Sequence, residues 1–154
     1  MEELYTYLQS RIHNLAGEWI SKQSSYEKDM CTLLGFTYSS SRYWDCEYNG
    51  LHIEIKKGRS IWLDEVRYCE ILLQTNEACK THTVTMFIIP SADKKSIQTI
   101  YLVDTKKLIS FMKLTEEWAQ ILLCRHKEVT RSLNCQQSMT LLDVRKIANY
   151  IISV

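Results

Sequence analysis

Apolar residues recur every three or four positions over the first part of the chain, which is the spacing of an amphipathic helix. Residues 2–34 are therefore predicted to form two helices, or one helix that is broken near Ser24 and Ser25. Gly35 is a suitable C-terminal cap for the second helical stretch, because glycine adopts the left-handed conformation at little steric cost. A first short strand is predicted over residues 36–38.

Apolar and polar residues then alternate in two runs, 43–48 and 51–57, which flank Asn49 and Gly50. Asn-Gly is the preferred pair for a two-residue type I′ turn, so a β-hairpin is predicted in which Asp45 lies opposite Glu54. Alternation gives this hairpin one polar and one apolar face. The polar face contains Tyr43, Asp45, Glu47, His52, Glu54 and Lys56. The apolar face contains Trp44, Cys46, Leu51, Ile53 and Ile55.

The remaining residues are predicted to form a helix, two strands and three further helices. Ser60 is a candidate N-cap for a helix over residues 60–74, and two β-branched runs predict strands over 83–89 and 97–103. The last three helices are predicted to begin after Asp104, Thr115 and Thr140. The resulting order, α-α-β-β-β-α-β-β-α-α-α, indicates the α/β fold class.

The length of 154 residues suits one hydrophobic core, so a single domain over residues 1–154 is predicted. No apolar run approaches the length of a signal peptide or a membrane span. We therefore expect a soluble, intracellular protein of the cytoplasm or nucleus, without membrane contact. The six cysteines lack C-x-x-C or paired Cys/His spacing, which favours reduced, buried thiols over a zinc site.

Basic residues are clustered, although the net charge is only +1. Lys56, Lys57 and Arg59 follow the acidic residues of the hairpin directly. Further basic clusters lie at residues 94–95, 106–107 and 125–127. Local positive charge is what a protein needs in order to contact phosphates, so the composition is compatible with nucleic-acid binding.

The predicted hairpin brings two carboxylates together. Like charges directly across a ladder are destabilising, so a cation is expected between Asp45 and Glu54. Hard divalent cations such as Mg²⁺ or Mn²⁺ are typically held by one or two carboxylates together with water and substrate phosphate. Lys56 lies on the same predicted face, where its ammonium would orient a water molecule or neutralise charge on a phosphate.

The spacing of Asp45, eight intervening residues and then Glu54-Ile55-Lys56 resembles the motif of the PD-(D/E)XK nuclease superfamily. This superfamily includes type II restriction endonucleases, Holliday junction resolvases, and repair or viral nucleases. Trp44 stands where the proline of the motif would be. The resemblance covers roughly residues 26–103 and leaves the C-terminal helices outside. It implies a restriction-endonuclease-like core: a mixed β-sheet of about five strands flanked by helices, with extra C-terminal helices.

The resemblance also implies roles for individual residues. Asp45 and Glu54 would bind Mg²⁺, for which Mn²⁺ would substitute, and the main-chain carbonyl of Ile55 would be a further ligand. Lys56 would position and activate the attacking water. An acid on the helix before the first strand often contributes in this family, and Glu27 is the residue we prefer for that role.

The first hypothesis is therefore a Mg²⁺-dependent DNA endonuclease, most like the small type II restriction enzymes. Such an enzyme would act as a homodimer on double-stranded DNA. Lys57 and Arg59, which follow the motif, are the residues expected to contact the DNA.

Three alternatives use the same residues differently. A structure-selective enzyme, such as a Holliday junction resolvase or a repair nuclease, would recognise the shape of its substrate. An RNA endonuclease of viral type would cut the other polymer. A non-catalytic nucleic-acid-binding module on the same scaffold would not use the three residues for chemistry.

Overall fold

The computed structural model of the protein describes residues 1–20, 25–128 and 135–154. The helices are α1 (Glu2–Ser10), α2 (Ile12–Leu15), α3 (Tyr26–Leu34), α4 (Glu65–Leu73), α5 (Thr105–Phe111), α6 (Glu116–Glu128) and α7 (Leu141–Ile147). The strands are β1 (Thr37–Tyr38), β2 (Cys46–Tyr48), β3 (Leu51–Lys57), β4 (Ile61–Asp64), β5 (Thr83–Pro90), β6 (Ile97–Asp104), β7 (Gln136–Met139) and β8 (Tyr150–Ser153). A short 3-10 helix, Glu77–Lys80, follows α4.

One mixed sheet, with six strands in the order β1-β2-β3-β5-β6-β8, forms the centre of the described residues. β1, β2 and β3 form an antiparallel meander, β5 lies parallel to β3, and β6 and β8 continue the sheet in antiparallel fashion. The parallel pair requires a crossover connection, which contains α4. β4 and β7 pair as a separate two-stranded sheet. The predicted α/β class with a mixed sheet is confirmed, and the main sheet has six strands where about five were predicted.

The two faces of the main sheet pack against different helices. α1 and α3 cover one face, in a core that contains Leu4, Leu8, Met30, Leu34, Ile53 and Met86. α4, α5 and α7 cover the other face, in a core that contains Tyr68, Phe87, Ile89, Leu108 and Val144. Every residue of β5 is buried, as expected for an uncharged run in the middle of a sheet. Of the six cysteines, Cys31, Cys46, Cys69 and Cys79 are buried as predicted, whereas Cys124 is exposed and Cys135 is half-buried.

The predicted hairpin turn is confirmed. Asn49 and Gly50 have φ angles of 47° and 78°, the left-handed values that a type I′ turn requires. Cys46 pairs with Ile53, and the pairing continues to the turn in the predicted register. β2 begins at Cys46, however, and not at residue 43, so the two acids are not neighbours in a regular ladder.

The start of the predicted helix over residues 60–74 was wrong. Residues 61–64 form β4, in which Ile61 and Leu63 are buried while Trp62 is exposed. This alternation has the period of a strand, and the partner strand β7 supplies the hydrogen bonds. Asp64, not Ser60, caps α4, because its side chain accepts a hydrogen bond from Val66 N.

The predicted caps of the last three helices are present. The Asp104 side chain accepts from Lys106 N, Thr115 Oγ1 accepts from Trp118 N, and Thr140 forms a capping box with Asp143. α6 is described as far as Glu128, and residues 129–134 lie outside the described residues.

The end of the chain differs from the sequence pattern, which predicts a last helix over residues 141–152. α7 ends at Ile147, and residues 150–153 form β8 at the edge of the main sheet. The β-branched residues Ile151 and Ile152 suit a strand, and the open edge of β6 provides the pairing that sequence periodicity does not reveal.

Among the described residues, α2 ends at Leu15 and α3 begins at Tyr26, while residues 21–24, on which the predicted break partly falls, lie outside the described part of the chain. Ser25 precedes α3, while Ser24 lies outside the described residues. Gly35 ends α3 in the left-handed conformation, with φ 72°, as predicted. No helix in the described part of the chain is long and apolar enough to cross a membrane.

Candidate active site

Asp45 is the last loop residue before β2 and is held by two hydrogen bonds. Its backbone N donates to Ile53 O at 2.9 Å, and its side-chain Oδ2 accepts from Ile55 N at 2.7 Å. If β2 extended further, one of its backbone carbonyls would accept this hydrogen bond from β3. The Asp45 carboxylate accepts it instead. This local arrangement turns the Asp45 side chain toward β3 instead of out from a ladder position.

The pKa of Asp45 is raised to about 7. Burial is the largest cause, the nearby Glu54 carboxylate adds to it, and the hydrogen bond from Ile55 N opposes it. Glu27 on α3 raises the pKa further, which places its carboxylate within electrostatic reach of Asp45. Asp45 and Glu54 are therefore close enough to influence each other, although Asp45 is not opposite Glu54 in a regular ladder. A role for Glu27 at this site stays a prediction.

Glu54 lies in the middle of β3 and is only 6% exposed. Its Oε1 atom lies 3.2 Å from Lys56 Nζ and 2.5 Å from Arg67 Nη1. A buried carboxylate needs such partners, because an isolated charge away from water is costly. Lys56 shares the face of Glu54 as predicted, and the structure adds a second cation from α4.

Arg67 is a candidate functional residue that the sequence pattern did not reveal. It lies on the first turn of α4, thirteen residues after Glu54, and reaches back across the sheet to that carboxylate. The only available signal was indirect: the helix after a strand in a parallel crossover packs over that strand. A basic residue early in that helix is therefore placed above β3.

The main-chain carbonyl of Ile55 faces the Asp45 side of β3. Ile53 O accepts from Asp45 N, and Ile55 N donates to the Asp45 carboxylate. Backbone polar groups two residues apart in a strand point the same way, so the carbonyl of Ile55 also points toward this side, beyond the end of β2. Its implied role as a metal ligand stays a prediction.

Lys57 and Arg59, the predicted DNA contacts, both have protein partners. The Lys57 ammonium lies 4.1 Å from the centre of the Tyr26 ring on α3, a cation–π contact on the face opposite Lys56. Arg59 Nη2 donates to Pro90 O at 2.9 Å and to Gln98 Oε1 at 2.7 Å. These contacts join Arg59 to β5 and β6, and a role for either residue in DNA binding stays a prediction.

Trp44 does not lie on the predicted apolar face. Its ring stacks on His52 with the ring centres 3.9 Å apart and an interplanar angle of 4°, and its Nε1 donates to Glu47 Oε1 at 3.3 Å. His52 Nε2 is 3.4 Å from the same oxygen. Because Asp45 leaves the ladder, alternation ends at Cys46, and Trp44 is free to join His52 and Glu47.

The loop before Asp45 is fixed to α4. Tyr43 OH donates to Glu70 Oε2 at 2.5 Å, and the Arg42 guanidinium makes two hydrogen bonds to the same carboxylate, at 3.0 and 3.1 Å. Tyr43 is buried and does not share an open polar face with Lys56, which corrects that part of the prediction. These contacts hold the backbone that leads into Asp45, and they join residues too far apart in sequence for a motif to show.

The donor atoms at this site suit a hard cation. Asp45, Glu54 and the Ile55 carbonyl offer only oxygen, and Mg²⁺ is typically held by one or two carboxylates and water. The repulsion that raises the Asp45 pKa is of the kind that a divalent cation relieves. In residues 1–20, 25–128 and 135–154 there is no group of three or more His, Cys, Asp or Glu side chains arranged for a metal ion. A metal ion at this site would thus have two carboxylates and a main-chain oxygen as its protein ligands, which stays a prediction.

No model of a known protein family matches the chain, and no curated protein is detectably similar to it.

Proposed function

We propose that the chain is a Mg²⁺-dependent endonuclease of the PD-(D/E)XK type that hydrolyses phosphodiester bonds in DNA. One arrangement carries the proposal: the Asp45 carboxylate accepts from Ile55 N at 2.7 Å, and the neighbouring Glu54 carboxylate is 3.2 Å from Lys56 Nζ. Two acids and a lysine at the end of a β-hairpin are the groups that the motif needs in one place. Structural ion pairs also perturb pKa values, so the three residues together, and not the pKa alone, support the proposal.

The order of elements around the site also supports a restriction-endonuclease-like core. α3, the β1-β2-β3 meander, α4 and then β5 parallel to β3 occur in this order along the chain, with β4 inserted before α4 and the short 3-10 helix after it. This is the order that the resemblance implies for residues 26–103. Fold alone does not establish function, so the argument for cleavage rests on the side chains of the site.

Asp45, Glu54 and the Ile55 carbonyl would hold Mg²⁺, with Glu27 as an additional or outer group. Bound there, Mg²⁺ would act as a Lewis acid on a phosphoryl oxygen and lower the pKa of a coordinated water. Lys56 holds its ammonium beside Glu54, where it orients the attacking water and stabilises negative charge on the phosphate. Arg67 pairs with the buried Glu54 and fixes the direction of its carboxylate.

Double-stranded DNA is the substrate we propose, with a homodimer as the acting species. A single set of Asp45, Glu54 and Lys56 cuts one strand at a time, and a two-fold pair of chains presents one set to each strand. The structure-selective and RNA-cleaving alternatives use the same residues, so they differ from this proposal only in substrate.

A substrate panel tests the proposal. The chain is incubated with Mg²⁺ and, separately, a long unmodified linear DNA, a four-way DNA junction and a single-stranded RNA. Discrete fragments from the linear DNA are expected for a restriction-like enzyme. Cleavage of the junction alone, or of RNA alone, would instead identify one of the two other nuclease types, and a chelator should stop cleavage in every case.

One observation favours a non-catalytic nucleic-acid-binding module. Glu54 already has two cationic partners, Lys56 and Arg67, which is what a stable metal-free carboxylate requires. Calorimetric titration with Mn²⁺ separates the two candidates. The nuclease proposal expects heat of binding that is lost in Asp45→Asn, whereas the module expects no binding in either protein.

A further inference from the structure

Two adjoining concavities run beside α5 on the face of the sheet that carries Glu54. The first, of about 340 Å³, is lined by residues that include Ile71, Leu72, Lys80, His82, Thr83 and Lys106. The second, of about 520 Å³, is lined by Lys106, Lys107, Ser110, Phe111, Lys146 and Ile147. Lys106 and Ser110 of α5 border both concavities, and we call the two concavities together the α5 groove.

The charge of the α5 groove is of one sign. Its lining contains four lysines and His82, and no carboxylate is among the described residues that line it. Acids border the groove at both ends: Glu77 pairs with Lys80 at 2.6 Å but is 89% exposed, and Asp104 is 3.6 Å from His82. At the α7 end, hydrogen bonds from Thr140 and the charge of Lys146 lower the pKa of Asp143. A chain with a net charge of only +1 thus concentrates positive charge in this depression.

Lys106 and Lys107 are exposed, and within the described residues neither is in a salt bridge. A lysine that stabilises the fold through its charge would be expected to face a carboxylate. Free ammonium groups along a depression are instead suited to a polyanion, whose phosphates release bound counterions when lysines replace them.

The α5 groove begins on the same side of the sheet as the candidate active site. Glu54 is in register with Thr85, and Thr83, two residues earlier on β5, points to the same face and lines the groove. α4 connects the two regions. Arg67 near its start pairs with Glu54, and Gln74 just beyond its end lines the groove, roughly 10 Å further along at a rise of 1.5 Å per residue.

We propose that the α5 groove binds the phosphate backbone of the nucleic-acid strand outside the site of cleavage, an inference that rests on the proposed function. The separation along α4 corresponds to about three nucleotides of a duplex strand at 3.4 Å per phosphate. Contacts of this kind position the substrate and carry no sequence information. The groove therefore raises affinity equally for all sequences.

The test is a salt titration of DNA binding with two matched double variants. Lys106→Gln/Lys107→Gln removes two charges from the groove, and Lys94→Gln/Lys95→Gln removes two exposed lysines from the β5–β6 turn, at the opposite end of β5. Binding of a labelled duplex is measured in metal-free buffer across a range of salt concentrations. Cleavage with Mg²⁺ is measured separately.

The groove variant is expected to lower affinity several-fold and to reduce the slope of log affinity against log salt by up to about 2, whereas the control pair leaves the slope unchanged. The proposal is overturned if both variants change equally, if neither changes, or if the unmodified chain does not bind the duplex. Lysine-dependent binding without cleavage would retain the groove and reject the nuclease. Cleavage by the unmodified chain, together with an unaltered salt slope in the groove variant, would retain the nuclease and reject the groove.

Discussion

The Asp45 carboxylate accepts a hydrogen bond from the Ile55 backbone N–H at 2.7 Å. One side chain thus closes the open end of the β2–β3 pairing and also offers its other oxygen to the site. The proposed activity and the local fold therefore involve the same residue, and substitutions at position 45 must be chosen so that the two effects are separated.

Asp45→Asn and Asp45→Ala should both abolish cleavage but differ in stability. The asparagine side-chain oxygen still accepts from Ile55 N, whereas alanine leaves that N–H without its partner, at a cost of about 1–3 kcal/mol. Urea denaturation of both variants in chelator measures the difference. Equal stability of the two variants would mean that the hydrogen bond does not matter for folding.

The metal-free protein should lose stability as the pH rises from about 4 to 7. The pKa of Asp45 in the folded protein, about 7, lies above the value of about 3.9 in an unfolded chain, so the folded state binds this proton more tightly. Its stabilising contribution is complete below pH 4 and is lost as the pH passes 7. A shift of three units corresponds to at most about 4 kcal/mol.

The difference in unfolding free energy between the unmodified chain and Asp45→Asn isolates this contribution from other titrating groups. Both proteins are denatured in chelator at several pH values. Between pH 4 and 7, the unfolding free energy of the unmodified chain should fall relative to that of the Asn variant. A difference that is independent of pH would place the pKa of Asp45 near its ordinary value.

Lys56→Met should lower kcat by about 10²- to 10⁴-fold and leave Mn²⁺ binding in place. Lys57→Met is the matched control, because Lys57 lies on the opposite face against Tyr26 and should affect kcat little. Steady-state cleavage kinetics of the two variants make the comparison. Equal losses in both would show that Lys56 has no special part in the chemistry.

Arg67→Gln should destabilise the metal-free protein by about 1–3 kcal/mol, because the buried Glu54 loses its shorter ion pair. Arg42→Gln breaks an ion pair with Glu70 in which the arginine side chain is 48% exposed, and should cost less than about 1 kcal/mol. Thermal denaturation of the two variants is the measurement. An Arg67 effect no larger than that of Arg42 would contradict the role of Arg67 as the partner of a buried charge.

Local chemistry accounts for what the sequence predicted well. The Asn49-Gly50 turn fixes the register of β2 and β3, because few other pairs adopt positive φ at both positions. The capping side chains of Asp104 and Thr140 each accept a hydrogen bond from a backbone N–H no more than three residues further along the chain. The uncharged run of β5 indicates a strand buried on both faces without any knowledge of its neighbours.

Contacts between distant residues account for what the sequence did not show. β4 was predicted as part of a helix because its partner β7 comes from the far end of the chain. Two contacts depend on how α4 packs: the hydrogen bond from Tyr43 to Glu70 and the ion pair between Arg67 and Glu54. The exit of Asp45 from the ladder depends on one side-chain hydrogen bond, which no periodicity reveals.

Cleavage of supercoiled plasmid shows whether Asp45, Glu54 and Lys56 form the proposed Mg²⁺-dependent nuclease site. The unmodified chain, Glu54→Gln and the control Glu47→Gln are each incubated with plasmid in Mg²⁺ or in chelator. The unmodified chain and Glu47→Gln should convert the plasmid to nicked or linear DNA in Mg²⁺ only, and Glu54→Gln should not. The proposed site would be contradicted if the unmodified, folded chain left the plasmid supercoiled, or if Glu54→Gln cleaved it as well as the unmodified chain does.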